Sequence, residues 1–256
     1  VAAAARIVSL VPSLTELLFE LGLGEQLVGR TGFCIHPRDT VRAVPKVGGT
    51  KDVDVEAVLA LRPTHLVVNV DENEKPTVDR LAREIDHLIV THPLRARDNL
   101  ALYRQFGEAF DCRPKAQQLC ERFEAVMQSV QAARWTQRQV VYLIWKAPWM
   151  TVSDQTYIAD MLMQVGLRTI TPESSRRYPE IDFAAWGPSQ ADAVLFSSEP
   201  YRFGERDLIE FSSAHGLDPA RCRLIDGEMT SWYGSRAIEG LDYLARFRQS
   251  LDEALA

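Results

Sequence analysis

Along the first ninety residues, short wholly apolar runs alternate with stretches whose apolar positions recur at helical spacing. Arg6–Val11 reads as a buried strand, and Ser13-Leu14-Thr15-Glu16 has the pattern of a capping box opening a helix that Gly22 ends. Gln26–Gly29 is the next strand. Asp54 is placed to N-cap a helix over Val55–Leu61, with Val53 and Val58 as a hydrophobic staple and Pro63 beyond its end. His65–Val70 is a strand, Thr77–Ile85 a helix and His87–Val90 a strand. Strand–helix alternation of this kind predicts a parallel sheet covered on both faces by helices.

The pattern changes between Asp98 and Trp135, where no strand is predicted. Tyr103, Phe106 and Phe110 mark one helix face. A second helix starts near Pro114, carries Leu119, Phe123, Val126, Met127 and Val130 at helical spacing, and runs to about Ala133. Twenty residues of helix span about 30 Å, roughly the width of a small domain. Alternation then resumes: strand Gln139–Ile144, helix Thr156–Val165, strand Asp192–Phe196, helix Asp207–His215, strand Arg223–Ile225 and a final helix Ser235–Ala254. The expected fold is therefore α/β, with two Rossmann-like lobes (residues 1–98 and 135–256) joined by linking helices (99–134) that include one long backbone helix. The lobes share a faint repeat: Glu56–Pro63 leads into the strand from His65, and Asp182–Pro188 leads into the strand from Asp192, each read as short helix, turn and strand. Both strands end in polar residues, and such lobes are expected to enclose a cleft served by the carboxyl ends of the strands. A single rigid helix between lobes predicts only modest closure around a ligand.

Composition narrows the function. The 256 residues are 46% hydrophobic and 25% charged, with 29 basic against 35 acidic residues and a formal charge of −6. That is globular in character and lacks the basic excess that nucleic-acid binding needs. No apolar run approaches the ~18 residues of a membrane span, so no membrane insertion is expected. Four cysteines (Cys34, Cys112, Cys120, Cys222) with no CxxC are too few for a disulfide scaffold and leave the redox compartment open. The chain opens on Val1 with a short alanine run, which reads as a mature or trimmed product rather than a signal peptide. Sequences such as GxSxG, HExxH and the P-loop are absent, and Gly22, Gly24 and Gly29 are too spread for a dinucleotide fingerprint.

Arg6–Glu16, then Val47-Gly48-Gly49-Thr50 followed by Val55-Glu56 through Leu61-Arg62-Pro63, and the strand-free middle helix occur in a set order. Together they resemble the class III, helical-backbone substrate-binding proteins of bacterial ABC importers, the cobalamin and ferric-siderophore receptors. More narrowly, Cys34-Ile35-His36-Pro37, Trp149-Met150, Ser197–Tyr201 and Ser231–Arg236 look like a branch described as cobalamin-binding or metal receptors. The resemblance implies a bound chelate, an ABC permease as partner, and one surface carboxylate per lobe that docks on the permease. Glu56 matches the first carboxylate. Asp182 is the candidate for the second, one residue off the repeat where Phe183 stands, with Glu180 nearby. Both acids are expected in first helical turns, where the helix dipole alone would favour them.

Candidate ligand contacts cluster at the predicted strand ends: Trp145 and Trp149, Tyr201 and Phe203, Trp232 and Tyr233, and Phe33 from the first lobe. Aromatic faces supply contact area to a large flat ligand at low entropic cost, whereas the plainer reading of each ring is core or loop packing. Trp186, Met161 and Met163, at helical positions, are read as core. Arg236 is a candidate clamp for a carboxylate or phosphate, because a cation in a first helical turn opposes the dipole; Arg202 is a second choice. Cys34 and His36 share a loop and are chemically able to ligate metal, with Asp71, Glu72 and Glu74 at another strand end able to complete a set. The spacing does not require a metal, and a semi-buried Cys and a His before Pro37 is the plainer reading. The resulting expectation is a monomeric, periplasmic or otherwise extracytoplasmic binding protein, not an enzyme. It has no built-in cofactor and captures a metal chelate, corrinoid first and ferric siderophore or heme second. The alternative is an intracellular tetrapyrrole- or metal-handling enzyme or metallochaperone built on the Cys34/His36 loop.

Overall fold

A computed structural model describes residues 4–172 and 175–256. It divides into two compact units. Of the described residues, the first comprises 4–93, 99–120 and 233–236, and the second 94–98, 121–172, 175–232 and 237–256.

In the first unit, β1 (Ile7–Ser9), β2 (Leu27–Arg30), β3 (His65–Asn69) and β4 (His87–Thr91) form one sheet in the order β2-β1-β3-β4. Every pairing is parallel. The crossovers are α1 (Pro12–Glu20), α2 (Val55–Ala60) and α3 (Lys75–Leu81). Val8, Leu10, Val47, Val58, Leu66, Val68, Leu81 and Ile85 pack as one buried cluster. α1 begins two residues earlier than the capping-box pattern implies: Pro12 occupies the first turn, and Val11 caps without a side-chain bond. Proline's fixed φ and missing N–H suit that position, which releases Ser13 and Glu16 for other contacts. Gly22, at φ +76°, ends the helix as expected. Asp54 does cap α2, accepting from Ala57 N–H at 3.0 Å.

The strand-free middle is α4 (Asp98–Ala109) and the 20-residue α5 (Arg113–Ala132). In the second unit, β5 (Arg138–Trp145) is flanked on one side by β6 (Met150–Thr151) and β7 (Leu167–Thr169), and on the other by β8 (Ala193–Ser197) and then β9 (Cys222–Ile225). β7, β8 and β9 run parallel within this sheet, while the short β6 is antiparallel to β5. The remaining helices are α6 (Tyr157–Met163, N-capped by Thr156), α7 (Glu205–His215), α8 (Gly227–Ser231) and α9 (Arg236–Ala254). If β7 is matched to β2, both units have the same strand order, which is the structural form of the faint repeat. The two-unit α/β architecture with parallel sheets and a long middle helix is thus as expected.

Several local expectations are overturned. Asp182–Trp186 forms turns rather than a helix. Asp182 instead accepts from Ala184 N–H at 2.9 Å, the local bond that lets aspartate compete with helix. Trp186 therefore packs on the second unit's core from a turn. Met163 is exposed although Met161 is buried. β6 and β7, of two and three residues, carry too little periodic signal to predict. The segment around Ser231 contains the short helix α8, with Asp226 as its cap accepting from Met229 N–H at 3.2 Å.

Residues Tyr233–Arg236 belong to the first unit although their chain neighbours belong to the second. Gly234 is buried at φ +85°, and an added Cβ would lie 3.3 Å from Leu17 Cβ and 3.4 Å from Ser13 O on α1. Its N–H donates to Asn99 Oδ1 at 2.7 Å, and its carbonyl accepts from Tyr103 OH at 2.9 Å. Both the positive φ and the close approach demand glycine. Gly234→Ala is expected to destabilise the chain by about 1–2 kcal/mol, read as a lower denaturation midpoint with unchanged slope.

Candidate functional site

In open α/β sheets the loops at the carboxyl ends of strands meet where the strand order reverses, leaving space for ligands. That point is β1/β3 in the first unit and β5/β8 in the second.

In the first unit, Asn73 organises the reversal. Its Nδ2 donates to Leu10 O at 3.1 Å and Thr50 O at 3.0 Å, and its Oδ1 accepts from Asn69 N–H at 2.9 Å. Asn69 in turn donates to Thr91 Oγ1 at 3.3 Å and accepts from Asp71 N–H at 2.8 Å. This frame presents Asp71, Glu72 and Glu74. Asp71 pairs with His92 at 3.4 Å, Lys51 approaches Glu74 at 3.7 Å, and Glu72 accepts from Tyr233 OH. Burial, reinforced by the Glu72 charge, holds the Tyr233 phenol well above its ordinary range, so it stays a donor.

The loop after β2 separates its residues sharply. Phe33 is 60% exposed and Ile35 is also exposed, whereas Cys34 is fully buried. The buried Arg30 holds the loop from beneath, donating to Val41 O at 2.9 Å, Cys34 O at 3.0 Å and Thr31 O at 3.1 Å. Cys34 Sγ accepts from Thr15 Oγ1 and lies 3.1 Å from Thr31 Oγ1, and burial raises its pKa. A neutral, enclosed thiol is neither a nucleophile nor an available metal ligand, and it presents no surface to a ligand. The expected contact through Cys34 is therefore corrected to a core role. His36 is half-buried in the same loop. Among the described residues, no group of three or more His, Cys, Asp or Glu is placed to hold a metal ion.

Arg236 also differs from its expected role. It is 9% exposed, and its guanidinium grips Glu16 of α1 with two bonds, Nε to Oε2 at 2.8 Å and Nη2 to Oε1 at 2.6 Å. The planar fork that would suit an anionic ligand is already matched to a carboxylate.

In the second unit, Trp145 ends β5 and is 40% exposed, with Tyr201 edge-on at 5.7 Å. Tyr201 is positioned by its N–H to Ile144 O at 3.2 Å. This pair stands at the β5/β8 reversal with Trp145 open to solvent. Trp149 and Phe203 do not: Trp149 lies parallel to Phe203 at 6.0 Å and edge-on to Phe211 at 5.3 Å, packed on the core cluster. For these two rings the core reading replaces the expected ligand contact. Trp232 is buried and its indole N–H donates to Glu199 at 3.0 Å. Arg202 is exposed beside Tyr201.

Lys146, next to Trp145, donates to Asp207 at 2.6 Å and Glu210 at 3.2 Å and lies 5.9 Å from the centre of the Trp149 ring. Asp207 also accepts from Gly204 N–H at 2.9 Å at the start of α7. Burial on its own would raise the Asp207 pKa, but the bonds from Lys146 and Gly204 outweigh it and leave the carboxyl below its ordinary 3.8. Glu56 lies in the first turn of α2 as expected, exposed, and pairs with Arg80 of α3.

Sequence reasoning did not single out Lys51 or His92, and it noted Asn69, Asn73 and Glu199 only as polar residues at strand ends. The position of His92, two residues past the predicted strand His87–Val90, was the available signal. The bonds from Asn73 to Leu10 O and Thr50 O had none, because those partners lie 63 and 23 residues away.

A model of the periplasmic binding protein family matches residues 7–212, and the chain belongs to that family. Its class is therefore that of a substrate-binding protein. An uncharacterized ABC transporter substrate-binding lipoprotein of Bacillus subtilis (strain 168), YvrC, is 24% identical over 250 residues, covering 94% of this chain and 78% of that protein. The vitamin B12-binding protein of Photorhabdus laumondii is 25% identical over 186 residues, 70% of this chain and 66% of that protein. Among solved structures, the periplasmic vitamin B12-binding protein BtuF of Vibrio cholerae superposes with a TM-score of 0.83 at 15% identity, covering 98% of each chain. The heme-binding protein RhuT of Roseiflexus sp. RS-1, in apo form, gives 0.83 at 19%, covering 99% of this chain and all of that one. These superpositions speak to the fold.

Two outcomes follow from this geometry. Arg236→Ala leaves Glu16 partly buried without its cation and is expected to cost about 3 kcal/mol, measured by chemical denaturation. The depressed Asp207 pKa contributes stability that is complete above about pH 4 and is lost as pH falls towards its lower folded value. Lys146→Met should flatten that part of a thermal-stability profile relative to the parent chain; an unchanged acid slope would contradict the pairing.

Proposed function

We propose that this chain is the substrate-binding component of an ABC importer, capturing a metal chelate and handing it unchanged to a membrane permease. The proposed cargo is a cobalamin-type corrinoid first and a ferric siderophore or heme second. The observation that carries the chelate reading is the edge-to-face Trp145–Tyr201 pair at the β5/β8 strand reversal. Its open indole offers a large flat guest contact area with few rotatable bonds to immobilise. The names of the relatives support the same reading, two of them being vitamin B12-binding proteins and one a heme-binding protein.

The proposed contacts in the first unit are Phe33, His36, Glu72 and His92 around the β1/β3 reversal, with Tyr233 setting the orientation of Glu72. Those in the second unit are Trp145 and Tyr201, with Trp232 holding Glu199 in place. Binding then involves no bond chemistry in the protein, and the chelate is cargo rather than a resident cofactor. Glu56 and Asp182 are the proposed permease-docking carboxylates. The proposed state is a monomer acting outside the cytoplasm, in line with relatives named as periplasmic proteins or a lipoprotein. Among the described residues, no helix is long and apolar enough to cross a membrane. The buried, neutral Cys34 gives no support to an intracellular enzyme or metallochaperone built on its loop.

The test is a tryptophan-fluorescence and absorbance titration of the chain with cyanocobalamin, hemin, a ferric siderophore and free zinc. One of the chelates is expected to saturate, with affinity reduced about tenfold in Trp145→Ala, the ~1.4 kcal/mol of a lost aromatic contact. A response to zinc alone that disappears in Cys34→Ala would sink the proposal.

A further inference from the structure

His65 and His87 start β3 and β4 and face each other as a registered pair across the parallel ladder. Their rings stack with centroids 4.5 Å apart and planes inclined by 25°. Phe110 supports the His65 ring at 5.1 Å, and the pair opens on a surface cleft of about 430 Å³ lined also by Asp86, Leu88, Ile89 and Ala109. This cleft lies at the amino-terminal ends of the strands, the opposite end of the sheet from the proposed chelate contacts, so nothing in chelate capture accounts for it.

The Thr64 hydroxyl meets the Nδ1 edge of the His65 ring. Thr64 Oγ1 accepts from Arg6 N–H at 2.9 Å and can donate to Arg6 O at 3.4 Å. It lies 2.8 Å from His65 Nδ1, and a cation on Nε2 requires the tautomer in which the ring donates Nδ1–H to that hydroxyl. That arrangement puts the lone pair on Nε2, the ring edge that remains for a ligand. A metal-bound histidine is held in this way, its second nitrogen donating to a protein oxygen that fixes ring and tautomer. The exposed Asp86 adds negative charge beside the pair.

We propose that His65 and His87 form a two-imidazole site for a borderline divalent cation, the remaining positions being filled by water. Two Nε2 atoms bound to one ion at ~2.0–2.1 Å stand roughly 3 Å apart, so the two rings, with centroids 4.5 Å apart, must turn out of their stack to bring both Nε2 edges onto one ion. Imidazole donors suit copper, nickel and zinc, and the general order of affinity places Cu²⁺ highest among them. The site does not depend on the importer reading.

The experiment titrates the full chain with Cu²⁺ in a glycine-containing buffer that competes for adventitious sites. Electron paramagnetic resonance and broadening of the histidine ring protons serve as readouts. One equivalent is expected to bind with two-nitrogen coupling and with His65 and His87 broadened first. His87 is exposed, so His87→Gln should keep the fold, checked by circular dichroism, while weakening binding at least about tenfold. Thr64→Val should weaken it by a similar factor with both rings still present, and His92→Gln should leave it unchanged. Equal affinity in His87→Gln, broadening confined to His36, His92 or His215, or no saturable binding would overturn the proposal.

Discussion

Parallel strands cannot be joined by a tight turn, and this restriction orders both units of the chain. Apart from the short antiparallel β6, each strand reaches its next parallel partner only through a crossover, so the loops that leave the parallel strands gather at one end of each sheet. In the order β2-β1-β3-β4 the crossovers from β1 and β3 leave in opposite directions, and the second unit repeats this at β5 and β8. Side chains placed just past those strands are pointed into a gap the backbone does not fill. Asn73, with Leu10 O and Thr50 O as its acceptors, and Tyr201, with Ile144 O, are the fastenings that keep each gap in shape.

The same geometry divides the aromatic and charged residues into two populations. Trp145 and Phe33 leave the strand ends with open faces. Trp149 and Phe203, a few residues further along, have already turned back onto the core, where Phe211 and Phe183 complete an edge-to-face cluster. Arg236 follows the same logic with charge: a buried guanidinium needs a partner, and Glu16 supplies one with both oxygens. Its bidentate bond and the hydrogen bonds to Gly234 fasten a four-residue stretch of late chain onto α1 and α4. A residue whose chemistry suits a ligand is therefore spent on structure wherever the fold brings a better-matched partner first.

Much of the architecture was legible because its signals are local. The apolar runs at Ile7, His65 and Ala193, the Asp54 cap, Gly22, and the strand-free stretch ending in a 20-residue helix each depend on residues within a few positions of one another. The Asp182 turn was misread because the repeat suggested a helix, while the aspartate's own bond to Ala184 N–H offered the backbone a competing local solution. At the site the strand ends were readable and the orientation of side chains was not. Cys34 and Phe33 are adjacent in one loop, yet one is enclosed by Thr15 and Thr31 and the other stands in solvent.

By itself, then, the sequence determined the order of the longer strands and helices and the parallel pairing of those strands, since hydrophobic period and turn chemistry act over one or two turns of chain. Tertiary structure alone decided which polar groups were free for a ligand. Arg236 and Glu16 are 220 residues apart, and Tyr233 and Glu72 are 161 apart. No local pattern records a partner at that distance, and a buried charge or phenol takes the partner that folding brings to it.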